Sequence, residues 1–295
     1  MPSTLVRDKS SEGAPQSSMG RGPVSEATSS AQPLRILRSF FRTLILVGLL
    51  STAALDGLIR KRFFGMRVGP EGAVWVHRWC RRIVHVLGIG CTVEGSLPRV
   101  KPDECGLAVV SNHLSYLDIL LYSAATPFIM VSKTEVRGWP LLGWITAQAG
   151  TIYVERADVA GGQKQTHAEV NAAMAVAFRS GLPVLFFPEG TTTDGNGILP
   201  FRRGLFNSVV YDSVPVRTAA LRFTLTQSNP GASIGNDVCF VGDAEFAPHI
   251  FTCLGLRGIQ ANIRFGEQVP GEDRFALAAN SREEVIRLYE ELAQR

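Results

Sequence analysis

The sequence predicts an α/β fold: a central mixed, largely parallel sheet flanked by helices, preceded by an N-terminal helical membrane-docking unit. Three observations predict it. Short apolar runs alternate with helix-like stretches through the middle of the chain, which is the pattern that builds a parallel sheet. Several of those runs end in polar or charged residues, and residues 34–90 carry apolar stretches punctuated by arginine, unlike the rest of the chain.

Residues 1–33 are rich in serine, glycine, proline and charge, bury too little to order themselves, and are expected to form a disordered tail. Residues 34–90 form the expected membrane-associating region. Arg35, Arg38 and Arg42 precede an uncharged run from Thr43 to Leu55, and Asp56, Arg60, Lys61 and Arg62 follow it. That run of thirteen residues, 43 through 55, falls short of the roughly 20 that cross a bilayer core and suits an interfacial or re-entrant segment better. Snorkelling of the flanking arginines would lengthen it into a span, and basic charge on both sides leaves orientation open. A second helix, Ala73 to Leu87, sets Trp75, Val76, Trp79, Ile83 and Val86 among Arg78, Arg81 and Arg82. This reads as an amphipathic membrane-surface helix or as a helix packed on the core; its place after the first segment favours a two-helix docking unit.

Residues 91–295 make the remaining domain. Gly106–Ser111, Ala149–Arg156 and Leu182–Phe187 read as strands, and Ile119–Ala125 reads as the apolar start of a helix. Lys164–Ser180 reads as a helix stopped by Gly181. Ala219–Thr226, Asp237–Val241 and Gln260–Phe265 read as further strands, and Ser281–Ala293 as a closing helix capped by Ser281 with Glu284. His249, after Pro248, reads as structural.

The segment Asn112-His113-Leu114-Ser115-Tyr116-Leu117-Asp118 places an imidazole and a carboxylate five positions apart where a strand hands over to a helix. A histidine there takes a proton from an alcohol near neutral pH, and a nearby carboxylate fixes its tautomer. The same residues fit a capping box, with Ser115 as N-cap and Asp118 closing back on its amide. Further on, one strand ends in Glu155-Arg156, a cation suited to phosphate or an ordinary solvated charge. Another ends in Pro188-Glu189-Gly190-Thr191-Thr192-Thr193, which offers close backbone approach and hydroxyls to an anion, or is an ordinary turn. Ligands bind at the carboxyl edge of such sheets.

Taken together, Asn112-His113 to Asp118, Gly150 to Arg156, Phe187-Pro188-Glu189-Gly190-Thr191 and Phe201-Arg202-Arg203-Gly204 resemble the blocks of the glycerolipid acyltransferase family, the PlsC-like group that includes 1-acyl-sn-glycerol-3-phosphate acyltransferases. Val214-Pro215-Val216 matches a fourth block loosely, and Asp237–His249 with Ile263–Glu267 resembles a bacterial subset. The resemblance implies an O-acyltransferase that moves a fatty acyl group from acyl-CoA or acyl carrier protein to a lysophospholipid hydroxyl, first of all that of 1-acyl-sn-glycerol-3-phosphate, giving phosphatidic acid. It implies His113 as general base and Asp118 as its partner. It places Arg156, Glu189, Gly190 and Thr191 on the acceptor head, with Lys133 as a second cation there or a surface lysine. Members often have arginine directly after the third-block threonine, where this chain has Thr192; either Arg202 or Arg203 replaces that arginine, or the acceptor is another lyso-lipid such as lyso-ornithine lipid. A non-catalytic, membrane-docked lipid-binding protein is the reading from another class. The resemblance further implies a peripheral or single-anchor enzyme at the cytoplasmic face of the bacterial inner membrane, needing neither metal nor redox cofactor.

Composition bounds the rest. The 295 residues, 45% of them hydrophobic, suffice for one sizeable domain and a smaller appendage. A net charge of +4 is too mild and scattered for a nucleic-acid partner. Zinc-type Cys/His spacing and dinucleotide or Walker glycine patterns are missing. The five cysteines, odd in number and without paired spacing, point to a reducing compartment.

Overall fold

The computed structural model describes residues 27–104, 106–154 and 167–294. Helix α1 (Ala27–Phe63) is continuous, and α2 (Pro70–Leu87) folds back on it. The chain then runs through β1 (Gly90–Glu94), β2 (Ala108–Ser111), α3 (Leu117–Ala125), β3 (Ile129–Lys133), a 3-10 turn (Thr134–Gly138), α4 (Leu142–Gln148) and β4 (Ile152–Val154). Beyond residue 166 come α5 (His167–Phe178), β5 (Val184–Phe186), α6 (Phe206–Tyr211), β6 (Val216–Leu225), α7 (Ile234–Asp237), α8 (Phe246–Leu254), β7 (Ile259–Val269) and α9 (Arg274–Ala293).

The strands form one sheet in the order β1-β7-β6-β2-β5-β3-β4. Every pairing is parallel except β6 with β7, as expected of a mixed, largely parallel sheet. The central strands β2 and β5 are wholly buried, which is why they read as unbroken apolar runs. Helices cover both faces, and the main core reaches from Ile83, Val84 and Leu87 on α2 to Leu288 and Leu292 on α9.

Of the forms expected for the anchor region, one continuous helix fits the interfacial segment and the span, and the re-entrant turn is the one it overturns. The uncharged run 43–55 is the middle of a longer helical segment, Gln32–Phe63, whose most apolar window has a mean hydropathy of 1.6 and which by length and composition is enough to cross a bilayer. The helix continues through Asp56. Trp75 and Trp79 each donate an indole N–H to Asp56 Oδ2 (2.8 and 2.9 Å), and Arg60 Nε donates to both its oxygens. The charge that ends the hydrophobic run is thus satisfied between helices. Gly57 lets α1 approach this closely, since a Cβ there would fall 2.7 Å from the Trp75 ring.

An inward stripe through Arg35, Arg38, Ser39, Arg42, Ala53, Ala54 and Gly57 packs α1 lengthwise against α8, α2 and α4. Between residues 35 and 57 that stripe is roughly 33 Å long. Arg35 pairs with Asp237 at 2.5 Å, Arg38 donates to the carbonyl of Gly255 (2.6 Å), and Arg42 donates to those of Leu254 and Leu256 (3.2 and 2.7 Å). Arg38 and Arg42 satisfy the carbonyl end of α8, where a helix favours positive charge.

Other expectations shift as well. Of the expected tail, residues 1–26 lie outside the described residues, while 27–33 already belong to α1. Asp237–Val241 is not a strand: Ser233 caps α7 by accepting from Asn236 N, and the chain then turns toward β2's loop. The closing helix starts at Arg274 because Asp273, not Ser281, caps it; Ser281 is buried inside. The expected helix over 164–180 is described from His167.

Candidate active site

Strands β2 and β5 are parallel neighbours, so the residues just beyond them emerge side by side at one edge of the sheet. Asn112 continues β2 by one residue: its side chain donates to Leu221 O and accepts from Leu221 N, both at 2.9 Å, so an amide side chain imitates the strand pairing with β6. His113 comes next. Its backbone N–H donates to Glu189 Oε1 (2.8 Å) and its carbonyl accepts from Thr193 N (2.9 Å), so the loop after β5 grips it from both sides.

Asp118 is wholly buried. Its Oδ2 accepts from His113 Nδ1 (2.8 Å), Leu114 N (2.6 Å) and Ser115 N (3.0 Å). The capping and the dyad readings therefore coexist in one oxygen: it satisfies free amides ahead of α3 and the imidazole at once. Ser115 does not cap with its hydroxyl, which is buried without a partner among the described residues. Since Nδ1 is the donor to a carboxylate, the lone pair lies on Nε2, which has no partner among the described residues. The imidazole lies flat on Phe187, with centroids 4.1 Å apart and planes at 10°, and its side chain remains 17% exposed. A histidine oriented this way can take a proton from a hydroxyl at Nε2 while Asp118 stabilises the imidazolium.

Glu189, placed on the substrate head by the sequence reading, is occupied otherwise. It is 2% exposed, and Oε2 accepts from Leu199 N at 2.8 Å while Oε1 holds His113 N. Burial pushes its carboxyl above the usual range, and the two amides pull the other way. Gly190 has φ +69°, a left-handed conformation, and a Cβ there would meet Arg202 Nε at 2.8 Å, so Arg202 lies directly on this turn. Thr191 is half-buried, and its hydroxyl has no partner among the described residues. Thr192 Oγ1 donates to the carbonyl of Phe240. Lys133 ends β3, and so reaches the same edge. Arg203 turns to α9, its guanidinium 4.7 Å over the Phe275 ring. Arg156 lies outside the described residues; β4 ends two positions before it.

Two supports carried no sequence signal as parts of the site. Phe240 N donates to Leu114 O. Tyr116 O–H meets His249 Nδ1 at 2.9 Å, while His249 Nε2 bonds Cys239 O, across 133 residues of chain. His249 is thus structural in a particular way: it braces the loop that carries His113. Burial holds its imidazole below the ordinary 6.5. The thiols of Cys80, Cys239 and Cys253 are pushed by burial to about 12, which leaves them unsuited to nucleophilic work.

Residues 92–222 match the family described as Acyltransferase. Over 255 residues the chain is 32% identical to a lyso-ornithine lipid O-acyltransferase of Pseudomonas aeruginosa, an alignment covering 85% of this chain and 92% of that one. The chain belongs to the acyltransferase family. A second relative of this acyltransferase is the 1-acyl-sn-glycerol-3-phosphate acyltransferase of Neisseria meningitidis, 29% identical over 67% of this chain and 73% of that one. Its fold is that of the crystal structure of the 1-acyl-sn-glycerophosphate acyltransferase PlsC from Thermotoga maritima, with a TM-score of 0.65 at 19% identity over 90% of this chain and 98% of that one.

Proposed function

We propose that this acyltransferase moves a fatty acyl group from a thioester donor to the free hydroxyl of a lyso-ornithine lipid, with His113 as general base and Asp118 as its orienting partner. The observation that carries the acceptor is the relative from Pseudomonas aeruginosa, which aligns over nearly its whole length and is named for that acceptor. Thr192 supports it: its hydroxyl is spent on Phe240 O, so its side chain offers no cation and no donor to a phosphate. The order of the two acceptors suggested by sequence, lysophosphatidate first, is thereby reversed. Lysophosphatidate remains the second reading, favoured by the relative from Neisseria meningitidis.

In the reaction, the acceptor oxygen attacks the thioester carbonyl as its proton passes to His113 Nε2. The tetrahedral intermediate collapses with cleavage of the C–S bond, and the imidazolium returns the proton to the departing thiolate. A thioester is already activated, so positioning the hydroxyl and removing its proton are the main tasks. Arg156, Lys133, Gly190 and Thr191 are proposed to hold the acceptor head. Of the two basic residues expected to replace an arginine at 192, Arg202 rests on the Gly190 turn and Arg203 turns to α9. Glu189 acts there through the backbone rather than on substrate.

Residues 34–90 are the proposed docking unit and 91–295 the proposed transfer domain. The outer face of α1 presents Leu37, Phe40, Phe41, Leu44 and Val47, each more than half exposed. Because the opposite stripe is fastened to the domain along its length, this helix is better suited to lying flat in a membrane interface than to crossing the bilayer. The cytoplasmic face is the proposed side.

The experiment is acyl transfer by full-length enzyme to a panel of lyso-ornithine lipid and lysophosphatidate, with His113→Ala as control. Transfer to lyso-ornithine lipid that disappears in the variant is expected. Wild-type transfer to lysophosphatidate alone would establish the second reading, and equal rates for wild type and variant would remove His113 from the mechanism.

A further inference from the structure

The acceptor is a membrane lipid, whereas the donor reaches the site from water with an anionic carrier arm. The helix with the exposed apolar face and the helix at the end of the chain pack on different parts of the fold. Helix α1 packs on α2, α4 and α8; α9 packs on β6, β7 and α6, and lies beside the loop after β5. That second side carries three arginines, one on the Gly190 turn and two at α9's first turn. Arg202 rests on the Gly190 turn, and its backbone N–H donates to Pro188 O (2.8 Å), next to the glutamate that holds His113. Arg203 and Arg274 stand over one phenyl ring, Phe275, their guanidinium carbons 4.7 and 5.0 Å from its centroid. Phe275 is half exposed.

None of the three arginines pairs with a carboxylate among the described residues; Arg274 makes one long bond, 3.5 Å, to Asn207 Oδ1. The nearby Asp273 directs its carboxylate inward, accepting from Phe275 N and Ala276 N as the helix cap. The ring holds two like charges on exposed side chains by cation–π attraction. Planar, unpaired guanidinium groups are suited to phosphate.

Resting on the proposed acyl transfer, we infer that Arg202, Arg203 and Arg274 form the subsite for the phosphate of the donor's phosphopantetheine arm, the group that acyl-CoA and acyl carrier protein share. This moves Arg202 and Arg203 from the acceptor to the donor. The phosphate end of the arm is held on the α9 side while its thioester end lies at His113, and the lipid enters from the α1 side.

The test uses full-length enzyme in vesicles, with acyl-CoA and acyl carrier protein as separate donors and whichever acceptor the wild type acylates. That choice keeps the donor result independent of the acceptor assigned above. In the triple variant R202Q/R203Q/R274Q the donor KM should rise by about tenfold or more, as losing charge-assisted bonds implies, with the acceptor KM unchanged. Arg203→Lys in an otherwise native chain should retain part of the affinity, and the wild-type donor KM should rise with salt more steeply than that of the triple variant. The donor that loses affinity names the natural source of the phosphate. An unchanged KM for both donors, or a rise in acceptor KM instead, overturns the inference. If the triple variant does not fold, Arg274→Gln on the outer face of α9 carries the same measurement.

Discussion

Glu189→Gln separates the two roles open to this residue, substrate contact and backbone support. In the structure its two oxygens hold the backbone amides of His113 and Leu199, each at 2.8 Å, in a position 2% exposed. Glutamine keeps one acceptor and turns an NH2 group toward the other amide, so one buried N–H loses its partner and faces a second donor. An unsatisfied buried group costs about 1–3 kcal/mol, a noticeable share of a total stability of about 5–15 kcal/mol. Alanine at this position orphans both amides and should cost about twice as much, roughly 2–6 kcal/mol. The effect on catalysis arises because His113 N is one of the two amides. Relaxation of that bond moves the imidazole, and a shift on the order of 1 Å lowers the rate by about 10²-fold. Steady-state kinetics alongside thermal unfolding read both consequences: kcat should fall by about that factor with both KM values little changed. A variant with normal kcat and a raised acceptor KM would refute the reasoning and return Glu189 to the substrate head.

Three further outcomes are expected. Asp118→Asn should lower kcat by about 10²- to 10⁴-fold, because an amide nitrogen against Nδ1 favours the tautomer whose Nε2 carries the proton; pH–rate profiles that show an unchanged rate and an unchanged acidic limb would contradict this. His249 is held below 6.5 by burial, so the unfolded chain binds the proton more readily; the stability it contributes is present above pH 6.5 and is lost as pH falls through the window below it. Denaturation midpoints at about pH 7.5 and about pH 5.5 should therefore differ less in His249→Asn than in wild type. Phe40→Glu with Leu44→Glu, on the outer face of α1, should weaken vesicle binding at least tenfold, since burying each such side chain is worth about 1.5–3 kcal/mol; a sedimentation assay with unchanged partition would show that this face does not meet lipid.

The sequence by itself determined what depends on near neighbours. His113 and Asp118 meet because five positions of one strand-to-helix loop bring them together, and the apolar runs around Val109 and Leu185 read as strands because burial on both faces leaves no polar side. The ends of β2, β4 and β5 are legible to within a few residues for the same reason. Tertiary structure decided what depends on partners far along the chain. Glu189 reads as a polar turn residue until the parallel pairing of β2 with β5 brings His113 N, 76 positions away, within 2.8 Å. His249 likewise becomes a brace only through Tyr116. The bounds of α1 and its sideways packing were hidden because a run of uncharged residues measures solvent transfer one residue at a time, whereas Asp56 and Arg42 are tolerated through indoles and carbonyls supplied by other helices. A side chain's type sets what it can bond; only the folded chain sets which groups arrive to bond it.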